Sequence, residues 1–249
     1  MPLEPIDFYG ADRAQVDHHR PLQPREELAI RLLRPVLAPD GGRLLDVGCG
    51  SGLLLAALDR AAGLSARGWR LHGVDFSEHA LAEAAALPYA FQRCNLEEGV
   101  PLEDGAVDVA CAGEVIEHVY SPDNLLRECR RVLRPGGHLL LTTPNLQAWY
   151  NRVLFAAGIQ PLFYESSTES TAIGAGVLRR VKRSEEPVGH IRLLNRTALA
   201  DLLRSTGFTP LALRGAEFPA LPRLALPVDR LFNRRPSLAS ILVVLARRD

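Results

Sequence analysis

Between residues 42 and 145 the chain alternates short, densely apolar runs with segments whose apolar residues recur at helical spacing. "RLLDVG" (43–48) predicts a buried strand, "GLLLAALDRAA" (52–62) a helix, and "RLHGVDF" (70–76) a second strand. "SEHALAEAAAL" (77–87) predicts a helix capped by Ser77, followed by strands at "AFQRCNL" (90–96) and "AVDVACAGE" (106–114). "SPDNLLRECRRVL" (121–133) carries an apolar stripe through Leu125, Leu126, Cys129, Val132 and Leu133, with Ser121 as N-cap and Pro122 in the first turn. "RPGG" ends that helix, and "HLLLTTPN" (138–145) predicts the next strand. Strands alternating with helices require a parallel sheet covered on both faces, which places the chain in the α/β class.

Outside this core, "PREELAIRLLRPVL" (24–37) predicts a helix within an N-terminal cap of residues 1–39. Residues 146–189 interrupt the alternation. A segment so long inside a compact domain predicts a lid, and Trp149, Tyr150, Phe155, Phe163 and Tyr164 supply an amphipathic lining for it. The pattern resumes with a helix at "NRTALADLLRSTGF" (195–208) and a strand at "PLALRG" (210–215), then a Pro-rich second insertion (216–237) and a strand at "LASILVVLAR" (238–247). No linker or internal repeat divides the chain, so residues 1–249 form a single domain with two insertions.

Composition changes this picture little. Hydrophobic residues make up 47% and charged residues 23%, ordinary values for a globular protein. The formal net charge is zero, which argues against a nucleic-acid partner, and the basic runs 179–183 and 233–235 read as solvated faces. Cys49, Cys94, Cys111 and Cys129 form no C-x-x-C pair, and most lie in predicted strands, so they read as reduced thiols. The N-terminus has no apolar signal region and no run reaches membrane-spanning length; a cytoplasmic, membrane-free protein is the expectation.

The candidate chemistry begins at "LLDVGCGSG" (44–52), a strand, an acid and a G-x-G-x-G turn leading straight into a helix. Gly48, Gly50 and Gly52 allow a close backbone approach to a ligand. Leu53 stands where a dinucleotide fingerprint needs its third glycine, and no G-K-[ST] follows, so neither that motif nor a P-loop is present. Asp46 would repel a pyrophosphate but suits a cationic amine. Asp75, closing the second strand, can accept both hydroxyls of a ribose, and Asn95, closing the third, can meet an adenine edge. All three lie at the C-terminal edge of the sheet, where open α/β folds bind ligands.

With "GVDFSE", "CNLEEGVPLEDGAVDVACAGEVIEHV", "LRECRRVLRPGGHLLLTTPN" and "GHIRLLNRTALADLLRSTGF", this series resembles the successive motifs of class I S-adenosylmethionine-dependent methyltransferases. The resemblance implies a Rossmann-like seven-stranded sheet in the order 3-2-1-4-5-7-6, with strand 7 antiparallel and helices on both faces. It implies S-adenosylmethionine as cofactor, with Gly48, Cys49, Gly50 and Gly52 along its methionyl part and Asp46 near its amino group. It further implies Asp75 on the ribose, Phe76 beside the adenine, Asn95 and Leu96 at the adenine amine, and Glu114 at the mouth of the pocket.

In "GEVIEHV" (113–119), Glu114, Glu117 and His118 stand at spacings i, i+3 and i+4, which one helical turn would gather on one side. His118 reads as general base or acceptor orienter, as metal ligand, or as a structural hydrogen-bonding group. The resemblance brings His190 back over the same pocket, so His118 and His190 are the catalytic candidates. Some relatives, the ubiquinone-pathway O-methyltransferases and the small-RNA 2′-O-methyltransferases, hold a divalent cation on a similar Glu-x-x-Glu-His and a distant His. A metal is therefore conceivable on Glu114, Glu117, His118 and His190, but a metal-free site is the favoured reading. The expected activity is methyl transfer to a small-molecule acceptor at oxygen. The alternatives are a metal-dependent RNA 2′-O-methyltransferase and a non-catalytic S-adenosylmethionine-binding partner protein.

Overall fold

The computed structural model describes residues 16–180 and 186–249. Seven strands form one sheet in the order β3-β2-β1-β4-β5-β7-β6. They are β1 (Gly42–Val47), β2 (Trp69–Asp75), β3 (Ala90–Arg93), β4 (Val107–Gly113), β5 (Leu133–Pro144), β6 (Phe208–Ala216) and β7 (Ile241–Arg248). The first five pair in parallel, whereas β7 runs antiparallel to both β5 and β6, as the sequence resemblance implies. Seven α-helices accompany the sheet among the described residues: α1 (Pro24–Leu33), α2 (Leu53–Ala62), α3 (Glu78–Ala84), α4 (Pro122–Val132), α5 (Trp149–Ala156), α6 (Arg196–Ser205) and α7 (Leu226–Phe232).

Strand periodicity divides the core into two layers. Leu44, Leu140 and Val243 point into the layer of α1 and α2, where they meet Ile30, Leu33, Leu55 and Leu58. Their chain neighbours Leu45, Leu139, Leu141 and Val244 point the other way, against Leu125, Leu126 and Cys129 of α4 and Leu199 and Leu203 of α6. A parallel sheet buried on both faces needs such continuous apolar runs rather than alternation. All four cysteines are free and buried. No described helix is long and apolar enough to cross a membrane. Arg234 and Arg235 are exposed, while residues 181–183 of the first basic run and residues 1–15 of the N-terminal cap lie outside the described residues.

Local chemistry sets the element boundaries. The side chains of Ser77, Ser121 and Asn195 each accept a backbone N–H in the first turn of α3, α4 and α6. The helix predicted over 24–37 is shorter than the spacing suggested. It ends at Leu33 and tightens into a 3₁₀ turn at Arg34–Val36, because Pro35 has no N–H to continue the ladder. "RPGG" does end α4, but its residues already belong to β5. A side chain at Gly137 would come within 3.0 Å of two backbone carbonyl oxygens, so the irregular start of that strand needs a glycine there.

The two insertions pack on each other beyond the C-terminal edge of β5. Trp149 of α5 stacks on Phe232 of α7 at 5.7 Å between ring centroids, and Phe163 meets Phe218 edge-on at 4.9 Å. Asp229, fully buried at the centre, accepts hydrogen bonds from the Trp149 indole, the Phe218 amide, the Asn233 side chain and the Ser240 hydroxyl. Replacing Asp229 by Ala leaves four donors without their acceptor. Urea denaturation of Asp229→Ala is expected to show a loss of about 3–5 kcal/mol, whereas substituting the exposed Arg230 should cost under about 0.5 kcal/mol.

Candidate functional site

A cleft of about 830 Å³ opens at the C-terminal edge of the sheet. Its inner wall carries Gly48, Asp75, Phe76, Asn95, Leu96 and Glu114, each at or just beyond a strand end. Its outer wall is made by the first insertion and the segment that follows it, residues 165–168 and 187–191. His118 and His190 also line the cleft.

The glycine loop is held rigidly to β2. The amides of Gly48 and Cys49 both donate to the Val74 carbonyl, at 2.8 and 3.0 Å. The Gly50 amide donates to Asp75 Oδ2 at 2.7 Å, and the Ser77 amide to Asp75 Oδ1 at 2.9 Å. One carboxylate thus ties the loop to the start of α3. Gly48 adopts a φ of 69°, and a Cβ there would stand 2.5 Å from the Val115 side chain. Only glycine meets both conditions.

Four residues expected along the cofactor stand behind this wall. Asp46, Cys49, Gly50 and Gly52 are buried and do not line the cleft. Burial, and then the charge of Asp75, raise the Asp46 carboxyl well above the usual carboxylate range. Cys49 packs beside Gly73, and burial pushes its thiol far up, away from reactivity. Beyond the ends of β2 and β3, the Arg93 guanidinium lies over the Phe76 ring, 5.0 Å from its centroid. The Asn95 amide donates to Glu98 and accepts from the Glu97 amide.

The segment "EVIEHV" is not the helical turn that its spacing suggested. Glu114 takes the left-handed conformation, φ 58°, which folds residues 115–118 into a turn closed by the His118 amide and the Val115 carbonyl. Consecutive threonines of β5 anchor the two acids: Thr142 donates to Glu114 Oε1 at 2.7 Å and Thr143 to Glu117 Oε2 at 3.0 Å. Glu117 is fully buried, and its Oε1 has no hydrogen-bond partner among the described residues. His118 Nδ1 lies 3.1 Å from the Gly189 carbonyl, and His190 Nδ1 lies 3.0 Å from the Phe163 carbonyl. A carbonyl can only accept, so each ring carries its proton on Nδ1 and its lone pair on Nε2. The two rings stand 4.9 Å apart. Glu117, His118 and His190 each offer a ligand atom, all within 4.8 Å of one another.

Two cleft residues were not legible in the sequence. Arg25, in the first turn of α1, brings a cation to the cleft within reach of the Glu117 carboxylate, but "QPREEL" gives no sign that this arginine faces inward. Glu165 crosses from the first insertion to the backbone of residues 188–190. Farther out, His18 bonds the Ser51 carbonyl at 2.7 Å and so lays the N-terminal segment against the glycine loop.

A family model described as a methyltransferase domain matches residues 16–213, most of the chain. The chain belongs to the S-adenosylmethionine-dependent methyltransferases. Over 230 residues it is 29% identical to a ubiquinone biosynthesis O-methyltransferase of Ralstonia nicotianae, an alignment covering 87% of this chain and 86% of the relative. A protein of the same name from Dechloromonas aromatica is 31% identical over 132 residues, which span 51% of this chain and 54% of that one. Among solved structures, an S-adenosylmethionine-dependent methyltransferase of Methanosarcina mazei superposes with a TM-score of 0.59 at 20% identity, covering 87% of this chain and 96% of that one. Identity that low speaks for the shared fold alone. The methyl donor of this methyltransferase is S-adenosylmethionine.

Burial, and then the neighbouring His190, press the His118 imidazole down to about 4, and burial lowers His190 as well. Both groups bind a proton more readily unfolded than folded. Their contribution to stability is therefore complete above the unfolded value near 6.5 and is lost as pH falls below it, for His118 down to about 4. Glu117 works in the opposite sense, since burial and then the charge of Glu114 raise its carboxyl. Urea midpoints measured from pH 7 to pH 4 should fall less steeply for His118→Asn than for the parent protein.

Proposed function

We propose that this methyltransferase moves the methyl group of S-adenosylmethionine to an oxygen of a small-molecule acceptor held against His118 and His190. The observation carrying this reading is the gathering of two imidazoles on the cleft wall, each with its Nδ1 on a backbone carbonyl, with the buried carboxylate of Glu117 beside them. The names of the relatives from Ralstonia and Dechloromonas agree with an oxygen acceptor.

The cofactor takes the inner wall. Asp75 receives the ribose hydroxyls, Phe76 flanks the adenine, and Asn95 with Leu96 meets its amine. The loop Gly48–Gly52 accommodates the methionyl part, with Glu114 at the mouth. Asp46 and Cys49 act from behind, supporting the loop. Arg25, a cation on the wall of the same cleft, suits the carboxylate of the methionyl group. Transfer is a direct displacement: an acceptor oxygen lone pair attacks the methyl carbon, and the carbon–sulfur bond breaks with its electrons going to sulfur. The acceptor proton passes to His118 Nε2. Holding oxygen, carbon and sulfur in line provides most of the acceleration, and removing the proton adds to it.

A second reading has an observation in its favour. Glu117 Oε1 is buried without a partner among the described residues, and both imidazoles donate their other N–H to carbonyls, the usual support of metal-ligating histidines. One carboxylate and two imidazoles fit a divalent cation, with Glu117, His118 and His190 as the residues that would hold it. Glu114, bonded to Thr142, stands outside that set. Such a cation would make an acceptor hydroxyl more acidic.

Three measurements test these assignments. Titration calorimetry with S-adenosylhomocysteine should show Asp75→Ala losing roughly 1.5–3 kcal/mol for each charged hydrogen bond removed. In methylation assays with catechol-like and other hydroxylated acceptors, His118→Ala should lower kcat by about 10²–10⁴-fold with cofactor affinity unchanged. Chelation with EDTA separates the readings: full activity supports the metal-free base, and activity lost and then regained with Mg²⁺ or Mn²⁺ supports the cation.

A further inference from the structure

The carboxylate of Glu165 accepts three consecutive backbone amides, from Val188 at 2.9 Å, Gly189 at 2.8 Å and His190 at 3.0 Å. Its side chain is only 8% exposed, so these charge-assisted bonds form largely out of water. The middle of this contact has a direct consequence for the site. The His190 N–H and the Gly189 carbonyl belong to one peptide group. That group donates to Glu165 on one side and accepts the His118 Nδ1 proton on the other. A carboxylate on the N–H polarises the peptide and makes its carbonyl a stronger acceptor.

The same clamp sets the second imidazole. His190 follows the bound amide, and its ring donates to the carbonyl of Phe163, two residues before Glu165. Phe163 is held in the left-handed conformation, φ 70°, and its ring meets the His190 ring edge-on at 5.9 Å. A bulky residue adopts that backbone only where its surroundings enforce it. Here the Phe163 ring is wedged against Phe218 while the Glu165 side chain is drawn across to residues 188–190.

We propose that Glu165 is the positioning residue of the acceptor site: it clamps residues 188–190 so that His118 and His190 are fixed as Nδ1–H tautomers, the first through the Gly189–His190 peptide. The proposal rests on the reading that these two histidines serve methyl transfer. Glu165 touches neither donor nor acceptor in this role; it acts through the backbone and the rings.

The experiment is carried out on the full chain saturated with S-adenosylhomocysteine, by ¹⁵N imidazole NMR at neutral pH, for the parent protein, Glu165→Ala and Glu165→Gln. The parent should show both rings as a single Nδ1–H tautomer. Glu165→Ala should show a mixture of tautomers at His118 and His190. Its kcat for methylation should fall roughly 10–100-fold, the usual cost of losing a supporting partner, while the S-adenosylhomocysteine Kd stays within about twofold. Glu165→Gln, whose amide oxygen can still accept but carries no charge, should fall between the two, and it serves as the test should Glu165→Ala not fold. Unchanged ring signals in both variants would overturn the proposal. Altered ring signals with unimpaired turnover would sustain the clamp and overturn instead the role of these histidines in methyl transfer.

Discussion

Asp75 is where sheet, loop and cleft meet. One of its oxygens takes the Gly50 amide and the other the Ser77 amide, so a single side chain joins the glycine loop to the start of α3. The loop cannot compensate elsewhere, because Gly48 is already pressed against Val115 and its amide is committed to Val74. Beneath this knot lies Asp46, whose carboxyl is raised above the usual carboxylate range by burial and then by the charge of Asp75. The cleft therefore presents the Asp75 carboxylate at its surface, with the Asp46 carboxyl buried behind it.

The part of the cleft around His118 and His190 follows a different principle. Its acids are set by β5, where Thr142 and Thr143 fix Glu114 and Glu117 one after the other, and its imidazoles are set by backbone carbonyls of distant segments. Rigid sheet and long insertion thus divide the work. The sheet supplies charge at fixed positions, and the insertion supplies orientation.

That division explains what could be read from the sequence. Strands and helices between residues 42 and 145 repeat apolar residues with clear periods, and the order of the sheet came with the motif resemblance. The cofactor wall follows from strand ends, which are local features. "EVIEHV" misled as to its conformation, because the left-handed turn at Glu114 depends on a backbone bond to Thr142 rather than on any glycine or asparagine. Arg25 and Glu165 were not legible at all. Each sits in an ordinary polar stretch: Glu165 acquires its position from backbone amides 23 or more residues away in sequence, and Arg25 comes to the cleft with the first turn of α1. Pro35 was a visible stop signal that outweighs the apolar repeat running past it.

The joint between the two insertions bears on how such an enzyme changes its substrate over evolutionary time. Phe163 and Trp149 come from one insertion, Phe218, Asp229 and Phe232 from the other, and the aromatic contacts and buried hydrogen bonds run between them. Phe163 also carries the carbonyl that orients His190. Exchanging either insertion alone would leave a buried acid or an aromatic ring facing a mismatched neighbour, and would disturb the imidazole at the same time. The two segments, separated by a helix and a strand in the chain, therefore constitute one inherited unit: single substitutions can be absorbed within the pair, but recombination must carry both.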